Sequence, residues 1–309
     1  MLSCQRELFY LPEGLHYLNC AYLGPLLKTV EEAGITAVRR RRDPAAITPD
    51  AWFTDSDRAR GLFGRLVGCD RQRVSLVPAV SYAIATAAKN VRLRAGQNVV
   101  VARGQFPSNV YGWRRLCAEA GASLRTIDPP DAVAGRGEGW NARLLEAVDG
   151  DTALVALGNV HWADGTRFDL ERIGRRAREV GALLVVDGTQ SVGAMPFDLA
   201  AIQPDVLVCA GYKWLLGPYG LGAAYFGERC DGWAPLEETW LGRLGSEDFT
   251  RLVDYADEYQ PGAARFDVGE RSNFTLMPML IAALEQVLAW GSVNVQDYCR
   301  ELTRGLLDR

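Results

Sequence analysis

The stretch VLVCAGYKWLLGPYGLGAAYFG, residues 206–227, decides the fold and locates the chemistry. It begins with an apolar run at 206–209, which is typical of a buried strand, and ends with a second short strand at 223–226. Lys213 and a glycine-rich turn lie between the two strands. A lysine at the end of a buried strand is unfavourable unless it is paired, exposed or used. We therefore predict that Lys213 is used, as an amine whose pKa is lowered by burial and which can form a Schiff base with an aldehyde.

A second stretch, LLVVDGTQSVG at 183–193, places an acid in a similar position. Asp187 follows a buried apolar run, and Gln190 comes three residues later. Ligands of open α/β sheets bind at the carboxyl ends of the strands, so Asp187 is expected in the same crevice as Lys213. Acidic residues also cap turns after strands, and the pairing with Lys213 is what favours a functional role.

Strands and helices alternate through most of the chain. Strands are predicted at 74–77, 99–102, 123–127, 153–157, 183–186 and 206–209. Helices are predicted near 25–42, 57–67, 109–120, 143–148, 170–180 and 277–290, with others beginning near 81 and 295. Gly68 is expected to cap the second helix, and the glycines at 135–139 predict an exposed loop after Pro129-Pro130. The pattern predicts an α/β fold with a mostly parallel central sheet and helices on both faces.

The first predicted helix has an apolar stripe and a basic end. Its apolar residues near helical spacing are Leu26, Val30, Ala33, Ala37 and Val38. The four arginines at 39–42 fit a solvated helix end, where cations suit the helix dipole, better than a nucleic-acid patch.

Length and composition suggest more than one unit. At 309 residues, a prior of roughly 150 residues per domain gives about two domains. We divide the chain into an N-terminal arm and helix at 1–56 and a large α/β domain at 57–245. The remaining part, 246–309, is interpreted as a linker and the start of a smaller, truncated α+β domain.

Composition excludes several classes of protein. No apolar run approaches the roughly 20 residues that span a bilayer, and a net charge of −4 gives no excess for binding nucleic acid. The first residues lack a basic and an apolar region, so no signal peptide is predicted. Seven cysteines without a C-x-x-C pair indicate free thiols and a cytoplasmic protein. The two histidines, His16 and His161, are too far apart for a local zinc pair, so no metal site is predicted.

Together, the strand followed by Asp-x-x-Gln and the strand followed by Gly-Tyr-Lys resemble the class V aminotransferase family of fold-type I pyridoxal phosphate enzymes. That family includes cysteine desulfurases, kynureninase and isopenicillin epimerase-like proteins. The resemblance extends from YLNCAYLGP at 17–25 to FDVGERSNF at 266–274. It implies that Lys213 holds pyridoxal 5'-phosphate as a Schiff base and moves the substrate α-proton. It also implies that Asp187 pairs with the pyridine nitrogen and that Gln190 bonds the cofactor's 3-oxygen.

The resemblance also assigns the phosphate and the ring. Val80 and Ser81 in PAVSYAIATAA would meet the phosphate at a helix N-terminus, although Ser81 has the alternative of being only an N-cap. Tyr212 matches a phosphate-binding tyrosine of kynureninase-like members, where desulfurases have histidine. Phe106 in RGQFPSNVYGW matches a phenylalanine that covers the pyridine, where desulfurases again have histidine. The alternative for Phe106 is a core phenylalanine under a loop.

Substrate and partner contacts are implied at four further places. Asn19, His161 and Trp162 are candidate substrate residues, with Trp162 near a position where many relatives have asparagine. His161 has the alternative of a purely structural role. A homodimer with shared active sites is implied, with Ser272 or Asn273 crossing to the partner's phosphate. The alternative is that Ser272 and Asn273 only start the next helix.

The reaction itself stays open at this point. The resemblance implies an amino acid or other amine-bearing substrate, and transamination and C–S or β-elimination lyase chemistry are favoured equally. A persulfide-forming desulfurase or an epimerase is the alternative, and the desulfurase is disfavoured because Phe106 and Tyr212 replace both histidines. A pyridoxal phosphate fold that serves only as a binding or scaffold subunit is a third possibility, against which Lys213 argues. A nicotinamide dehydrogenase is disfavoured because GPYGLGAA runs into a strand rather than a helix.

Overall fold

The computed structural model describes the backbone of residues 2–307 and the side chains of residues 2–304. Its sheet consists of β1 (Val74–Val77), β2 (Asn98–Ala102), β3 (Ser123–Ile127), β4 (Thr152–Gly158), β5 (Leu183–Asp187), β6 (Val206–Ala210) and β7 (Gly222–Phe226). The strand order is β1-β7-β6-β5-β4-β2-β3. The neighbouring pairs β3–β2, β2–β4, β4–β5 and β5–β6 are parallel. Strand β7 runs antiparallel to both of its neighbours, β1 and β6. The mostly parallel sheet predicted from the sequence is confirmed.

Helices cover both faces of this sheet. They are α1 (Lys28–Arg40), α2 (Thr54–Val67), α3 (Val80–Asn90), α4 (Tyr111–Ala120), α5 (Arg136–Ala147), α6 (Leu170–Glu179), α7 (Leu199–Ile202), α8 (Leu276–Trp290) and α9 (Ser292–Leu307). Side chains alternate along each strand, so Val99 and Val101 pack with α3 and α4, whereas Val100 and Ala102 face the core shared with α2, α5, α6 and α8. Burial on both faces explains why the strands are apolar throughout.

Helix α5 corrects one prediction. The glycines at 135–139 were expected to form an exposed loop before a helix at 143, but the helix begins at Arg136, directly after Gly135 with φ +67°. Trp140 and Leu144, four residues apart, are both buried against the sheet. This burial outweighs the low helix propensity of the glycines, because propensity is a weak preference that packing overrides.

The first two helices differ from the predictions in detail. Helix α1 begins at Lys28 rather than near Pro25, and Leu27, not Leu26, lies on its buried side. Helix α2 begins at Thr54, slightly earlier than predicted. Its predicted end is confirmed, because Gly68 adopts the left-handed conformation with φ +80° that favours glycine at a helix C-terminus.

The C-terminal helices pack on the rest of the chain at α8. Leu280 and Leu284 of α8 belong to the same core as α2 and the sheet, and α8 also packs on α1. The division of the chain at 56 and 245 stays a prediction. Within residues 2–307, no single helix is both long and apolar enough to cross a bilayer, and α8 and α9 pass that test only as a pair bent by 73°.

Candidate active site

A cavity of about 330 Å³ opens at the carboxyl ends of the parallel strands β4, β5 and β6. This is where the loops of neighbouring strands leave a crevice in an open α/β sheet. Its lining includes the predicted residues Val80, Ser81, Phe106, His161, Trp162, Asp187, Gln190, Tyr212 and Lys213. The predicted Asn19 and Asn273 are not part of that lining. The fold therefore brings together side chains from five separate loops.

Lys213 is held by a tight turn between β6 and β7. Its side chain is only 8% exposed. The amide of Gly217 donates to the Gly211 carbonyl at 2.8 Å, and the amide of Leu216 donates to the Lys213 carbonyl at 3.1 Å. Leu216 closes the turn at φ +55°, a region that is strained for leucine. The turn is therefore fixed by packing, and it orients the lysine toward the cavity.

Within the N-terminal region, residues 17–25 form an arm that packs directly against this turn. The Gly24 amide donates to the Tyr212 carbonyl at 2.8 Å. A Cβ at Gly24 would lie 2.3 Å from the Lys213 carbonyl oxygen, so only glycine allows this approach. Asn19 lies on the arm, where its carbonyl accepts hydrogen bonds from Tyr17 and Tyr22. Its predicted contact with substrate stays a prediction.

Gln190 connects the arm to the cavity. Its Nε2 donates to the Ala21 carbonyl at 2.9 Å, and its Oε1 accepts a hydrogen bond from Trp214 Nε1 at 3.3 Å. Gln190 lines the cavity as well. The bond to the cofactor's 3-oxygen that the sequence implies stays a prediction, for which Nε2 keeps a second hydrogen after donating to Ala21.

Asp187 lies at the end of β5 with a cationic neighbour. Its Oδ1 accepts a hydrogen bond from the Thr189 amide at 3.0 Å. Burial raises the pKa of Asp187, and the hydrogen bonds from Thr189 and the charge of Lys213 oppose only part of that effect. Burial likewise lowers the pKa of Lys213, partly opposed by the charge of Asp187. A carboxyl and an amine whose pKa values are shifted in this way are typical of a functional site.

Thr189 is a site residue that the sequence reasoning missed. Besides bonding Asp187, it accepts a hydrogen bond from the Ala210 amide on its Oγ1 at 3.1 Å, which ties the end of β5 to the end of β6. Its position between Asp187 and Gln190 was the available signal.

Four aromatic side chains line the cavity near Lys213, namely Phe106, Trp162, Tyr212 and Tyr219. The Phe106 ring centroid is 5.5 Å from Lys213 Nζ, and the ring is 40% exposed, so the alternative of a core phenylalanine is wrong. Trp162 meets Phe106 edge to face at 5.6 Å. Tyr212 packs against Tyr219 at 4.7 Å, and Tyr219 is a second residue that the sequence reasoning missed. Burial, then Tyr219 and Asp187, raise the pKa of Tyr212, so its hydroxyl keeps a proton to donate.

Ser81 is placed to meet an anion. The N-cap of α3 is Ala79, and Ser81 is the second helical residue, so the alternative of Ser81 as N-cap is wrong. The first N–H groups of a helix have no partner within the helix, and the helix dipole favours negative charge there. Val80 and Ser81 lie at this end and line the cavity. The arrangement fits a phosphate.

His161 has mostly structural partners. It is 6% exposed, and its Nε2 donates to the Arg103 carbonyl at 3.1 Å. Its Nδ1 lies 3.4 Å from Asp164 Oδ1, and its ring packs on Trp140. These contacts support the structural alternative. In the described part of the chain, no group of three or more His, Cys, Asp or Glu side chains could hold a metal ion.

Ser272 and Asn273 lie at the start of α8, outside the cavity lining. Asn273 Oδ1 accepts hydrogen bonds from the amides of Thr275 and Leu276, at 3.2 and 2.8 Å. The Ser272 hydroxyl bonds the Trp52 carbonyl. Asn273 therefore does contribute to the start of α8, whereas its contact with a partner subunit, and the alternative that it serves only this helix, both stay predictions.

Pyridoxal phosphate can be tested against these residues. Asp187 lines the cavity, and burial raises its pKa because a buried negative charge is unfavourable. A protonated pyridine nitrogen beside it would offset that cost, so Asp187 suits this end of the cofactor. The buried amine of Lys213 suits an aldehyde, and the start of α3 suits a phosphate. These residues therefore fit the pyridine nitrogen, the aldehyde and the phosphate of the cofactor.

Curated relatives match the larger part of the chain. A probable cysteine desulfurase of Methanothermobacter thermautotrophicus is 33% identical over 208 residues, which cover 66% of this chain and 50% of the relative. A cysteine desulfurase of Shigella sonnei is 33% identical over 216 residues, which cover 69% of this chain and 50% of the relative. The chain spans about half the length of the curated relatives it matches.

Solved structures share the fold. A C-DES mutant with glycine covalently linked to its pyridoxal phosphate cofactor superimposes with a TM-score of 0.82 at 19% identity, over 96% of this chain and 77% of that one. The apo cysteine desulfurase of Thermococcus onnurineus gives 0.79 at 20% identity, over 100% and 78% of the two chains. The family model for class V aminotransferases matches residues 54–309. This chain belongs to the class V aminotransferase family, a family of pyridoxal phosphate-dependent enzymes.

Proposed function

We propose that this chain is part of a pyridoxal phosphate-dependent enzyme that acts on an amino acid or another amine-bearing small molecule. The observation that carries the proposal is the buried amine of Lys213, which shares a cavity with Asp187 and lies 5.5 Å from the Phe106 ring centroid. A binding or scaffold subunit would have no use for an amine whose pKa is lowered in this way.

Each residue has a definite task in this proposal. Pyridoxal phosphate, when bound, supplies an aldehyde for the amine and a ring that draws electrons away from the substrate α-carbon. Because burial lowers its pKa, Lys213 is a neutral amine in a larger fraction of molecules than a solvated lysine is, and it would hold the aldehyde and then take the proton from that carbon. Asp187 holds a proton on the pyridine nitrogen. Opposite charges about 4 Å apart at an effective dielectric near 20 gain roughly 4 kcal/mol before desolvation.

Two further parts of the chain hold the cofactor in place. The N–H groups of Val80 and Ser81 and the hydroxyl of Tyr212 would hold the phosphate. Phe106 would pack against the ring and exclude water from it, which would strengthen the electrostatic interactions in the cavity.

Transamination and C–S β-elimination both remain within the proposal. The curated relatives are named cysteine desulfurases, and one structural neighbour is named a cystine C–S lyase in complex with cysteine persulfide. None of the seven cysteines, all within the described side chains, lines the cavity. Formation of a persulfide on a cysteine is therefore not supported by these residues. Assays for sulfide and pyruvate from cysteine and cystine, beside amino-group transfer to a keto acid, separate the reactions.

The experiment that tests the proposal uses the fact that the chain has only three lysines, Lys28, Lys89 and Lys213. Purified protein is mixed with pyridoxal phosphate, reduced with borohydride and digested, and the labelled peptide is found by mass spectrometry. We expect the label on Lys213 and its loss in a folded Lys213→Ala variant. Lys28 and Lys89 serve as internal controls, and equal labelling of all three would contradict the proposal.

We also propose that the protein forms a homodimer with shared active sites. Large apolar side chains are concentrated near the chain's start, and the exposed ones there are Tyr10, Leu15, Leu18, Tyr22, Leu23 and Leu26. A concentration of this kind favours a buried interface over a solvated surface. The arm that carries Tyr22 and Leu23 contacts the Lys213 turn, so an interface here would lie close to the cavity.

A cytoplasmic location is the last part of the proposal. All seven cysteines are free thiols in the structure, including the buried Cys117, Cys209 and Cys230. Free thiols are usual where the compartment is reducing. Fractionation of the cells that make the protein would test this.

A further inference from the structure

We propose that His161 and Trp162 are positioning residues that hold the loop at 103–106 and, through it, the Phe106 ring over Lys213. The sequence suggested both as substrate residues. Their contacts instead point to the loop that follows β2. The proposal rests on the proposed function only in that the bound group is taken to be pyridoxal phosphate.

Two consecutive side chains bond two consecutive backbone carbonyls. His161 Nε2 donates to the Arg103 carbonyl at 3.1 Å, and Trp162 Nε1 donates to the Gly104 carbonyl at 2.8 Å. The Trp162 ring also meets the Phe106 ring at 5.6 Å with an interplanar angle of 90°, which is a favourable edge-to-face geometry. The pair therefore contacts the loop at three points.

The loop needs such a restraint at one residue in particular. Gly104 has φ +69°, and glycine has the largest conformational freedom of any residue. From Gln105 onward the loop is already held, because Gln105 Nε2 donates to the carbonyls of Asn109 and Ala156 at 2.9 and 3.1 Å. Between β2 and Gln105, Arg103 is also held by its amide, which donates to the Ile127 carbonyl at 2.9 Å, and by its side chain, which donates to Asp128. At Gly104, the hydrogen bond found among the described residues is the one from Trp162.

The segment that carries His161 and Trp162 is itself rigid. The His161 amide donates to the Thr166 carbonyl at 2.8 Å, and the Phe168 amide donates to the Asn159 carbonyl at 2.9 Å. The His161 ring packs between Trp140 and Phe168, at centroid distances of 5.1 and 6.4 Å. The segment that carries His161 and Trp162 is therefore the fixed part, and it restrains the loop at 103–106. The result is a defined position for the Phe106 ring at the mouth of the cavity.

A double-mutant cycle tests whether Trp162 acts through Phe106. The dissociation constant for pyridoxal phosphate is measured for the wild type, Trp162→Ala, Phe106→Ala and the double variant. We expect Trp162→Ala to weaken binding about 10-fold, from loss of one hydrogen bond and one aromatic pair. The double variant should bind no more weakly than Phe106→Ala alone, because a residue that acts through another adds nothing once that other is gone. Additive losses, or wild-type affinity in Trp162→Ala, would overturn the proposal.

A conservative variant and a cofactor-free measurement complete the test. Trp162→Phe keeps a ring against Phe106 but loses the hydrogen bond to Gly104, so its affinity should fall between those of the wild type and Trp162→Ala. In protein without cofactor, the Asn109 amide, which donates to the Phe106 carbonyl at 2.9 Å, should exchange about 5-fold faster in Trp162→Ala. Trp240→Phe, at an exposed tryptophan outside the cavity, is the matched control.

The two readouts separate the two proposals. If the wild type does not bind pyridoxal phosphate, the proposed function fails, and the exchange rates alone decide whether the 161–162 segment restrains the loop. If exchange in Trp162→Ala equals that in Trp240→Phe, the positioning role is refuted whether or not the cofactor binds.

Discussion

The side-chain amide of Gln190 donates a hydrogen bond to the backbone carbonyl of Ala21 at 2.9 Å, across 169 residues of sequence. Through this bond the N-terminal arm is tied to the loop that follows Asp187. A second bond, from the Gly24 amide to the Tyr212 carbonyl, ties the same arm to the Lys213 turn. The arm therefore contacts both of the loops that carry the ionisable groups of the site, and its order depends on them.

Removing the first of these bonds should loosen the arm. In Gln190→Ala we expect amides at 17–25 to exchange about 5-fold faster, since one net hydrogen bond is lost while the Gly24 bond remains. Hydrogen exchange with mass spectrometry measures this. Gln260→Ala, which removes bonds to Ser246 and Glu247 away from the arm, is the control. An arm that exchanges at the wild-type rate in Gln190→Ala would show that other contacts hold it.

Asp187→Asn should stabilise the cofactor-free protein. Burial raises the pKa of Asp187 above its ordinary value of 3.8, so between that value and the raised one the folded state holds more protons than the unfolded state. Stability then falls as pH rises through this window, because ionising the buried carboxyl of the folded protein costs more free energy than ionising it in the unfolded chain. Asparagine keeps an acceptor for the Thr189 amide and removes the charge. We expect a gain of about 1–2 kcal/mol, or a few degrees in melting temperature, at pH 7.

The gain from Asp187→Asn should depend on pH and on the cofactor. Below about pH 4 the aspartate is protonated in both states, and the difference from wild type should vanish. Affinity for pyridoxal phosphate should fall, because the pyridine nitrogen loses its anionic partner. Asp198→Asn, an exposed cap of α7, is the control and should change neither property. A less stable Asp187→Asn protein at pH 7 would refute the sign of this prediction.

A buried ion triad should dominate the stability of the region around β1. Asp267, 1% exposed, pairs with Arg60 and with Arg271, the latter at 3.0 Å, and its other oxygen accepts a hydrogen bond from the Leu76 amide at 2.7 Å. Asp267→Ala leaves two buried guanidinium groups without their shared partner. We expect a loss of about 3–5 kcal/mol in the free energy of unfolding.

An exposed pair provides the comparison for this triad. Arg58 and Glu285 also form an ion pair, but their side chains are 57% and 45% exposed. Glu285→Ala should change stability by less than about 1 kcal/mol, because solvent screens exposed pairs. Chemical denaturation of both variants measures the difference, and equal losses would contradict the role given to burial.

The sequence was informative where one local feature determines the outcome. The sheet was predictable because buried parallel strands are apolar throughout, and Asp187 and Lys213 were predictable because each directly follows such a strand. Thr189 was not, because its role depends on the Ala210 amide, which only the pairing of β5 with β6 brings near. The start of α5 failed for a similar reason, since the burial of Trp140 is decided by the sheet beneath it.

The shared active site gives the last prediction, and the structure shows how to design its variant. Asn273→Ala would remove a possible donor to the partner's phosphate but also the acceptor for the amides of Thr275 and Leu276 at the start of α8. Losing such a capping interaction alone destabilises by about 1 kcal/mol. Asn273→Asp keeps that acceptor, replaces the donor and repels a phosphate. It is therefore the sharper variant.

Hybrid dimers then test whether the site is shared. Lys213→Ala and Asn273→Asp chains should each be inactive alone, one without its amine and the other with a weakened phosphate site. After mixing and proven subunit exchange, a hybrid dimer has one site in which Lys213 and the partner's Asn273 are both intact, so part of the activity should return. Co-purification of chains with different tags confirms the exchange. If Asn273→Asp alone keeps full affinity for pyridoxal phosphate, or if hybrids form without recovery, Asn273 serves only the start of α8.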